Sequence, residues 1–237
     1  MDTLELDNLK NDLLSVGAQT QVYSNFLVVK KWNWDYLSCL NFQKKAQAFV
    51  QKNREYKIYI FCNHPHCFTL GRGNERDNTD LIDFDTRLEQ NLAFPLHKIH
   101  RGGGITFHHP GQWIFYPIVA INNKYTLDDH MCWMLKSVKE VLRLDFALPG
   151  ALATKKLMGV WYERKKLASI GVGLNRFVTE HGLALNIYYD QKMFEEVMKI
   201  NPCGIKPTTY TALEKLVEVD GKLIDLFHQK YVQKFIL

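Results

Sequence analysis

The sequence predicts an α+β fold, on three observations. Helical and strand periodicities both occur. They do not alternate strictly, as βαβ units would. Short strand-like runs cluster in the middle of the chain between two helical stretches. From Asn33 onward, Cys39, Phe42, Ala46, Phe49 and Val50 keep helical spacing, and Ile58, Ile60 and Cys62 then alternate with Tyr59 and Phe61 as in a strand. Residues 71–91, dense in Gly, Arg, Asn and Asp, read as a long surface loop of the functional or mobile kind. Strand-like runs at 96–101, 104–109 and 113–121 are broken by Gly102-Gly103-Gly104 and Pro110-Gly111, and hairpins are their simplest arrangement. Leu127, Met131, Leu135, Val138 and Leu142 share one helical face, with strand candidates after it at 158–162, 167–172 and 182–189. Two short helices close the chain, the last marked by Leu223, Phe227, Tyr231 and Phe235 with Leu226 beside them. Residues 1–22, polar and weakly patterned, read as an N-terminal extension, which leaves 23–237 as one domain.

Composition narrows the function classes. No apolar run approaches the roughly 20 residues that span a bilayer, which argues against membrane insertion. The acidic start, Met1 to Asp7, lacks the basic and apolar parts of a secretory signal, so the expected location is the cytoplasm. Five scattered cysteines fit reduced thiols better than a disulfide framework. The net charge of +5 is spread in short groups without a nucleic-acid motif, so an acidic protein is the better partner for a basic face.

Cys203 stands in Ile200-Asn201-Pro202-Cys203-Gly204, where proline fixes one side of the thiol and glycine frees the other. A presented nucleophile needs this, and a passive small residue in a turn tolerates it. A thiol ionises at a pKa of about 8.5, so a catalytic Cys203 needs a cation, and Lys166 in Lys165-Lys166-Leu167-Ala168-Ser169-Ile170-Gly171 is the candidate. At about 4 Å and an effective dielectric near 20 their attraction is about 4 kcal/mol, roughly three pKa units before desolvation. The same spacing fits a solvated lysine beside Lys165. Gly102-Gly103-Gly104 lets backbone pass close to a ligand, with Arg101 and His108 placed to orient a polar head group, or it serves as a turn. No Gly-Lys-Ser/Thr follows, so it is not a P-loop. His64, His66 and Cys67, with His108 and His109, superficially suggest metal ligands, but their spacing matches no standard zinc pattern and no metal or other cofactor is expected. His181, opening Gly182-Leu183-Ala184-Leu185-Asn186, is either a ligand contact or a satisfied histidine.

In order along the chain, these segments resemble the octanoyltransferases of lipoate biosynthesis, also called lipoate-protein ligase B. His64-Pro65 with Phe68 to Gly73 is similar to the family's His-Pro, Thr-x-Gly-Arg stretch. Arg101 to His108 and Pro110-Gly111-Gln112 are similar to its Arg-Gly-Gly, Thr-Tyr-His, Pro-Gly-Gln segment. Gly159-Val160-Trp161, Lys166 to Gly171, His181 to Asn186, Asn201 to Ile205 and Thr211-Ala212-Leu213 follow in the family's order. The resemblance implies the fold of biotin and lipoate ligases, a mixed sheet flanked by helices. It implies that Cys203 carries the octanoyl group as a thioester and that Lys166 lowers its pKa. It also implies an acyl pocket lined by Arg101, Gly102, Gly103, Gly104, Ile105, Thr106, Phe107 and His108, by Ser169, Ile170 and Gly171, and by Gly182, Leu183 and Ala184.

The sequence departs from that pattern at Gly104, Phe107 and His109, where the family commonly has Gln, Tyr and Gly. His109 is the bulkiest change, beside the expected pocket mouth. The implied reaction moves an octanoyl group from octanoyl-acyl carrier protein to a lysine of lipoyl domains, in 2-oxoacid dehydrogenase E2 subunits and the glycine cleavage H protein, without ATP. The alternatives are an ATP-dependent lipoate or biotin ligase, which needs no nucleophilic thiol, and a non-catalytic protein that grips acyl carrier protein.

Overall fold

The computed structural model describes residues 3–72, 86–154, 158–197, 209–218 and 222–237. Eight strands form one sheet: β1 (Gln19–Val22), β2 (Phe26–Lys31), β3 (Lys57–Cys62), β7 (Gln112–Ile118), β11 (Val178–Asn186), β10 (Lys165–Asn175), β9 (Gly159–Tyr162) and β8 (Leu152–Thr154), in that spatial order. Every neighbouring pair is antiparallel except β2 and β3. A second sheet places β4 (Cys67–Leu70) between β5 (Leu96–Lys98) and β6 (Ile105–His108). This mixed sheet with helices on both faces is the expected α+β architecture.

The central strands are apolar on both faces because both are covered. On one side α3 (Leu127–Asp145) and α5 (Leu223–Phe235) bury Phe61, Trp113, Phe115, Leu183 and Leu185. On the other, α1 (Thr3–Ser15) and α2 (Tyr36–Lys52) bury Ile58, Ile60, Ile114, Tyr116 and Ile118. The strand period of two divides neighbouring residues between the two cores. Asp35 caps α2, its carboxylate accepting from the Ser38 N–H at 2.8 Å, and Thr126 and Asp129 form a capping box on α3. A third, smaller core joins Phe68, Leu70, Ile105 and Phe107 to Val197 of α4 (Gln191–Val197).

Two expectations are corrected. Within the expected extension 1–22, the described residues 3–22 are not irregular: Leu6, Leu9 and Leu13 of α1 are buried, and β1 pairs with β2. Three leucines in three turns made too short a periodic signal. The stop signal was present, however: Gly17 sits at φ +70, with its N–H on the Leu14 carbonyl at 3.0 Å and that of Ala18 on Leu13 at 2.9 Å, a Schellman cap. The hairpins are also absent. β5 and β6 both pair with β4, and β6 and β7 belong to different sheets. The triglycine stretch is not a tight turn but a strap, with the Gly102 N–H on the Val172 carbonyl at 3.0 Å.

Most of the 71–91 loop, 73–85, lies outside the described residues, and Thr86–Asn91 is a 3-10 helix. Among the described residues no helix is long and apolar enough to cross a membrane. Because Leu13 is fully buried, Leu13→Ala is expected to lower stability by about 2–5 kcal/mol in urea unfolding, where an extension residue would have no effect.

Candidate active site

Lys166 is placed by a defect in its strand. β10 and β9 pair Lys166 with Trp161 and Ser169 with Gly159, with a register shift between Lys166 and Ala168. Trp161 and Gly159 are two residues apart and share a face of β9, so Lys166 and Ser169 share a face of β10 although they are three apart. A β-bulge thus turns Lys166 out of the α3 and α5 core, where Leu167 and Ala168 remain, onto the face of Ser169 and Gly171. There Lys166 is buried, its Nζ 5.6 Å from the Trp161 ring centroid and 5.8 Å from that of Tyr210. It is therefore not the solvated lysine that its neighbour Lys165 suggested. A Cβ on Gly159 would lie 2.9 Å from the Lys166 Cε and 2.1 Å from the Ala168 carbonyl oxygen, so only glycine leaves room for this placement.

Arg101 forms a wall of the site facing the large sheet. Its guanidinium donates to the Thr69 carbonyl, the Thr69 Oγ1 and the Gly102 carbonyl, each at 2.9 Å. Gly171 admits it, since a Cβ there would lie 3.1 Å from the Arg101 Cδ. Between Arg101 and the large sheet, on the face that Lys166 shares with Ser169 and Gly171, is a cavity of about 30 Å³, room for a water molecule or two.

The structure brings much of the expected pocket together here, and divides the rest. Arg101, Thr106 and His108 line the cavity from one side, and Ser169, Gly171, Gly182 and Ala184 line it from the large sheet. Ile170 and Leu183 also line it, but their side chains belong to the α3 and α5 core, so their backbone is what faces the cavity. Ile105 and Phe107 point the other way, into the third core, because the pleat of β6 sends alternate residues to opposite faces. Gly102 and Gly103 are exposed beside the site, and the carbonyl of buried Gly104 accepts from the Gly71 N–H at 3.1 Å.

Tyr36, Ile99, Tyr116 and His181 complete the lining. Tyr36 and Tyr116 are read from sequence as parts of a helix and a strand, and nothing in their local pattern separates them from core aromatics. His181 carried a signal at its strand start. Its φ of +59 is unusual for a non-glycine residue, and its backbone N–H is held by the Gln43 Oε1 at 2.9 Å.

A line of buried hydrogen bonds ties the cavity to Lys166. His108 Nδ1 lies 3.0 Å from Gln112 Oε1. Gln112 Nε2 donates to Asn186 Oδ1 at 3.0 Å, Asn186 Nδ2 to the Thr211 carbonyl at 3.1 Å, and the Thr211 N–H to the Lys166 carbonyl at 3.1 Å. Since Gln112 spends its amide hydrogens on Asn186 and the Phe107 carbonyl, its oxygen must accept, and His108 carries its proton on Nδ1. Burial holds His108 neutral, its pKa well below the ordinary value.

Cys203 lies outside the described residues. The histidines and cysteines of the metal-like set are not gathered. His66 Nε2 is 2.8 Å and His109 Nδ1 3.8 Å from Asp190 Oδ2, while burial pushes the Cys67 thiol up to about 12. Cys39, Cys62 and His64 do bring three donor atoms within 4.8 Å of one another. There burial pushes the Cys62 thiol well above its ordinary value, and His64 Nδ1 donates to the Trp34 carbonyl at 2.7 Å. Cys39 and Cys62 pack in the α2 core.

Burial pushes His64 down to about 4, and burial together with Arg101 pushes His181 down to about 3. The unfolded chain takes up these protons below about pH 6.5 while the folded chain refuses them, so stability falls as pH falls from about 6.5 toward 4. His181→Asn, which accepts a positive φ, is expected to flatten that slope by about 1 kcal/mol per pH unit in urea unfolding.

The chain matches the pattern of the lipoyl protein ligase A/B catalytic domain over residues 35–236. It is 31% identical over 227 residues to the chloroplastic octanoyltransferase LIP2p2 of Arabidopsis thaliana, covering 90% of this chain and 75% of that protein. It is 33% identical over 195 residues to an octanoyltransferase of Geotalea uraniireducens, covering 81% and 83%. Among solved structures, lipoate-protein ligase A bound with ATP matches with a TM-score of 0.61 at 14% identity, over 90% of this chain and 84% of that one. That match is a likeness of fold, whereas the sequence relatives extend through the strands that build the cavity and the segment around Lys166. The chain belongs to the lipoyl protein ligase A/B catalytic family and, within it, to the octanoyltransferases.

Proposed function

We propose that the protein transfers an octanoyl group from octanoyl-acyl carrier protein to a lysine of lipoyl domains, through a thioester on Cys203. Similarity to octanoyltransferases over most of the chain carries the reading, and the placement of Lys166 supports it. Lys166 sits on the cavity face of the large sheet, beside Tyr210 and Thr211, where the chain leaves the segment that bears Cys203.

In the first step the Cys203 thiolate attacks the thioester carbonyl, the carbon–sulfur bond to pantetheine breaks, and the departing thiolate takes a proton from the Lys166 ammonium. In the second the neutral Lys166 takes a proton from the attacking amine of the acceptor lysine, the amide forms and Cys203 leaves as thiolate. The donor thioester already activates the acyl group, so the chemistry needs no ATP. A net charge of +5 suits an acidic carrier protein, with association that weakens as salt rises. The acceptors are the lipoyl domains of 2-oxoacid dehydrogenase E2 subunits and the glycine cleavage H protein. Free cysteines at 39, 62, 67 and 132 suit a reducing compartment, the cytoplasm.

The fold likeness to a ligase bound with ATP keeps a second reading open to test. Mixed with octanoyl-acyl carrier protein without ATP, wild type is expected to gain a hydroxylamine-labile octanoyl mass that Cys203→Ser does not gain. Acceptor loading by Cys203→Ala from free octanoate and ATP would instead support the ligase. Lys166→Ala is expected to slow acylation and move its pH profile upward, toward that of an unassisted thiol near about 8.5, and an unchanged profile would remove Lys166 from the role.

A further inference from the structure

The cavity lies along the sheet from Lys166, and its far end carries polar groups that a plain acyl chain cannot satisfy. Lys166 is level with Trp161, Ser169 with Gly159 two rungs on, and Val172, the partner of His181, three rungs beyond Ser169. At about 3.3 Å per rung, His181 lies roughly 16 Å along the sheet from Lys166. If the thioester is handled beside Lys166, as proposed above, the chain's tail points toward His181.

Three ring contacts assemble this end: Tyr36 to His64 at 5.0 Å, His64 to Tyr116 at 6.0 Å and Tyr116 to His181 at 6.1 Å between centroids. The Tyr116 hydroxyl is satisfied, 3.1 Å from His64 Nε2, whose Nδ1 is committed to the Trp34 carbonyl. The Tyr36 hydroxyl and the His181 Nε2 are different. Both residues line the cavity, both are buried, at 3% relative exposure each, and among the described residues neither atom has a hydrogen-bond partner. Burial keeps His181 neutral and the Tyr36 phenol protonated, so the pair offers a donor and a nitrogen whose role follows its tautomer. A hydrocarbon tail pressed against them would leave both unpaired, which is costly.

We propose that Tyr36 and His181 form a hydrogen-bonding subsite for one oxygen atom at the tail end of the acyl pocket, and that this oxygen sets the length of chain the pocket accepts. Ordered water supplies the oxygen under a plain octanoyl chain. A hydroxyl on the last carbon of the chain supplies it otherwise. A longer plain chain must displace the water without replacing its hydrogen bonds, and binds less well. The inference rests on the acyl-transfer reading only for which end of the cavity is the tail.

The test measures binding, by calorimetry, of the pantetheine thioesters of octanoate, decanoate and ω-hydroxyoctanoate to Cys203→Ser protein with and without Tyr36→Phe. Tyr36→Phe removes one oxygen and keeps the ring and its packing. It is expected to shrink the preference for octanoyl over decanoyl by roughly tenfold, and to cost the ω-hydroxy chain roughly tenfold relative to octanoyl. A change in the chain-length ratio alone assigns the oxygen to water, and a change in the hydroxy ratio alone assigns it to the ligand. Unchanged ratios, or no binding of any of the three, would overturn the subsite. Failure of wild type to transfer octanoate from carrier protein would instead sink the proposed function and leave these ratios to stand.

Discussion

Burial of the large sheet on both faces is the constraint from which the rest follows. With α1 and α2 against one face and α3 and α5 against the other, a buried polar group on β7, β10 or β11 has no route to water and must find its partner inside the protein. The series from His108 through Gln112, Asn186 and Thr211 to the Lys166 carbonyl meets that requirement with side-chain amides. Each amide has one donating and one accepting end, so the series has a direction, and that direction decides the protonation of His108. It also ties the small sheet to the large one and to the strand that bears Lys166.

The β-bulge at Lys166 answers the same constraint differently. Kept in regular register, a residue three before Ser169 would face the α3 and α5 core, and an ammonium there would lack any compensating group. The register shift sends Leu167 to that core and Lys166 to the other face, between Trp161 and Tyr210. Gly159 keeps the space open. The catalytic proposal therefore depends on a single irregular step in a strand and on the glycine opposite it.

Where the constraint is not met at the wall of a cavity, a ligand is the natural explanation. The buried groups without partners at Tyr36 and His181 stand at the cavity wall, and His181 holds a left-handed backbone conformation to be there. Satisfied histidines such as His64, with a carbonyl on one nitrogen and a hydroxyl on the other, show what the same residue type does when the interior is closed around it.

The sequence by itself determined the mixed fold class, the helical faces of α2, α3 and α5, and the ordered motifs that mark the family, because each of these is written in local spacing. It also named most of the cavity: Arg101, Thr106, His108, Ser169, Gly171, Gly182 and Ala184 were legible as motif members. Tertiary structure alone decided which of them meet. The pleat of β6 sent Ile105 and Phe107 to another core, the bulge in β10 brought Lys166 to the cavity face, and β6 left β7 to pair with β4. Tyr36 and Tyr116 were hidden because an aromatic at a cavity wall and one in a core obey the same periodicity. The helix at the N-terminus was missed because its three leucines acquire meaning only against α2. In each case the missing information was a partner distant in sequence, and pairing across such a distance is a property of packing rather than of local pattern.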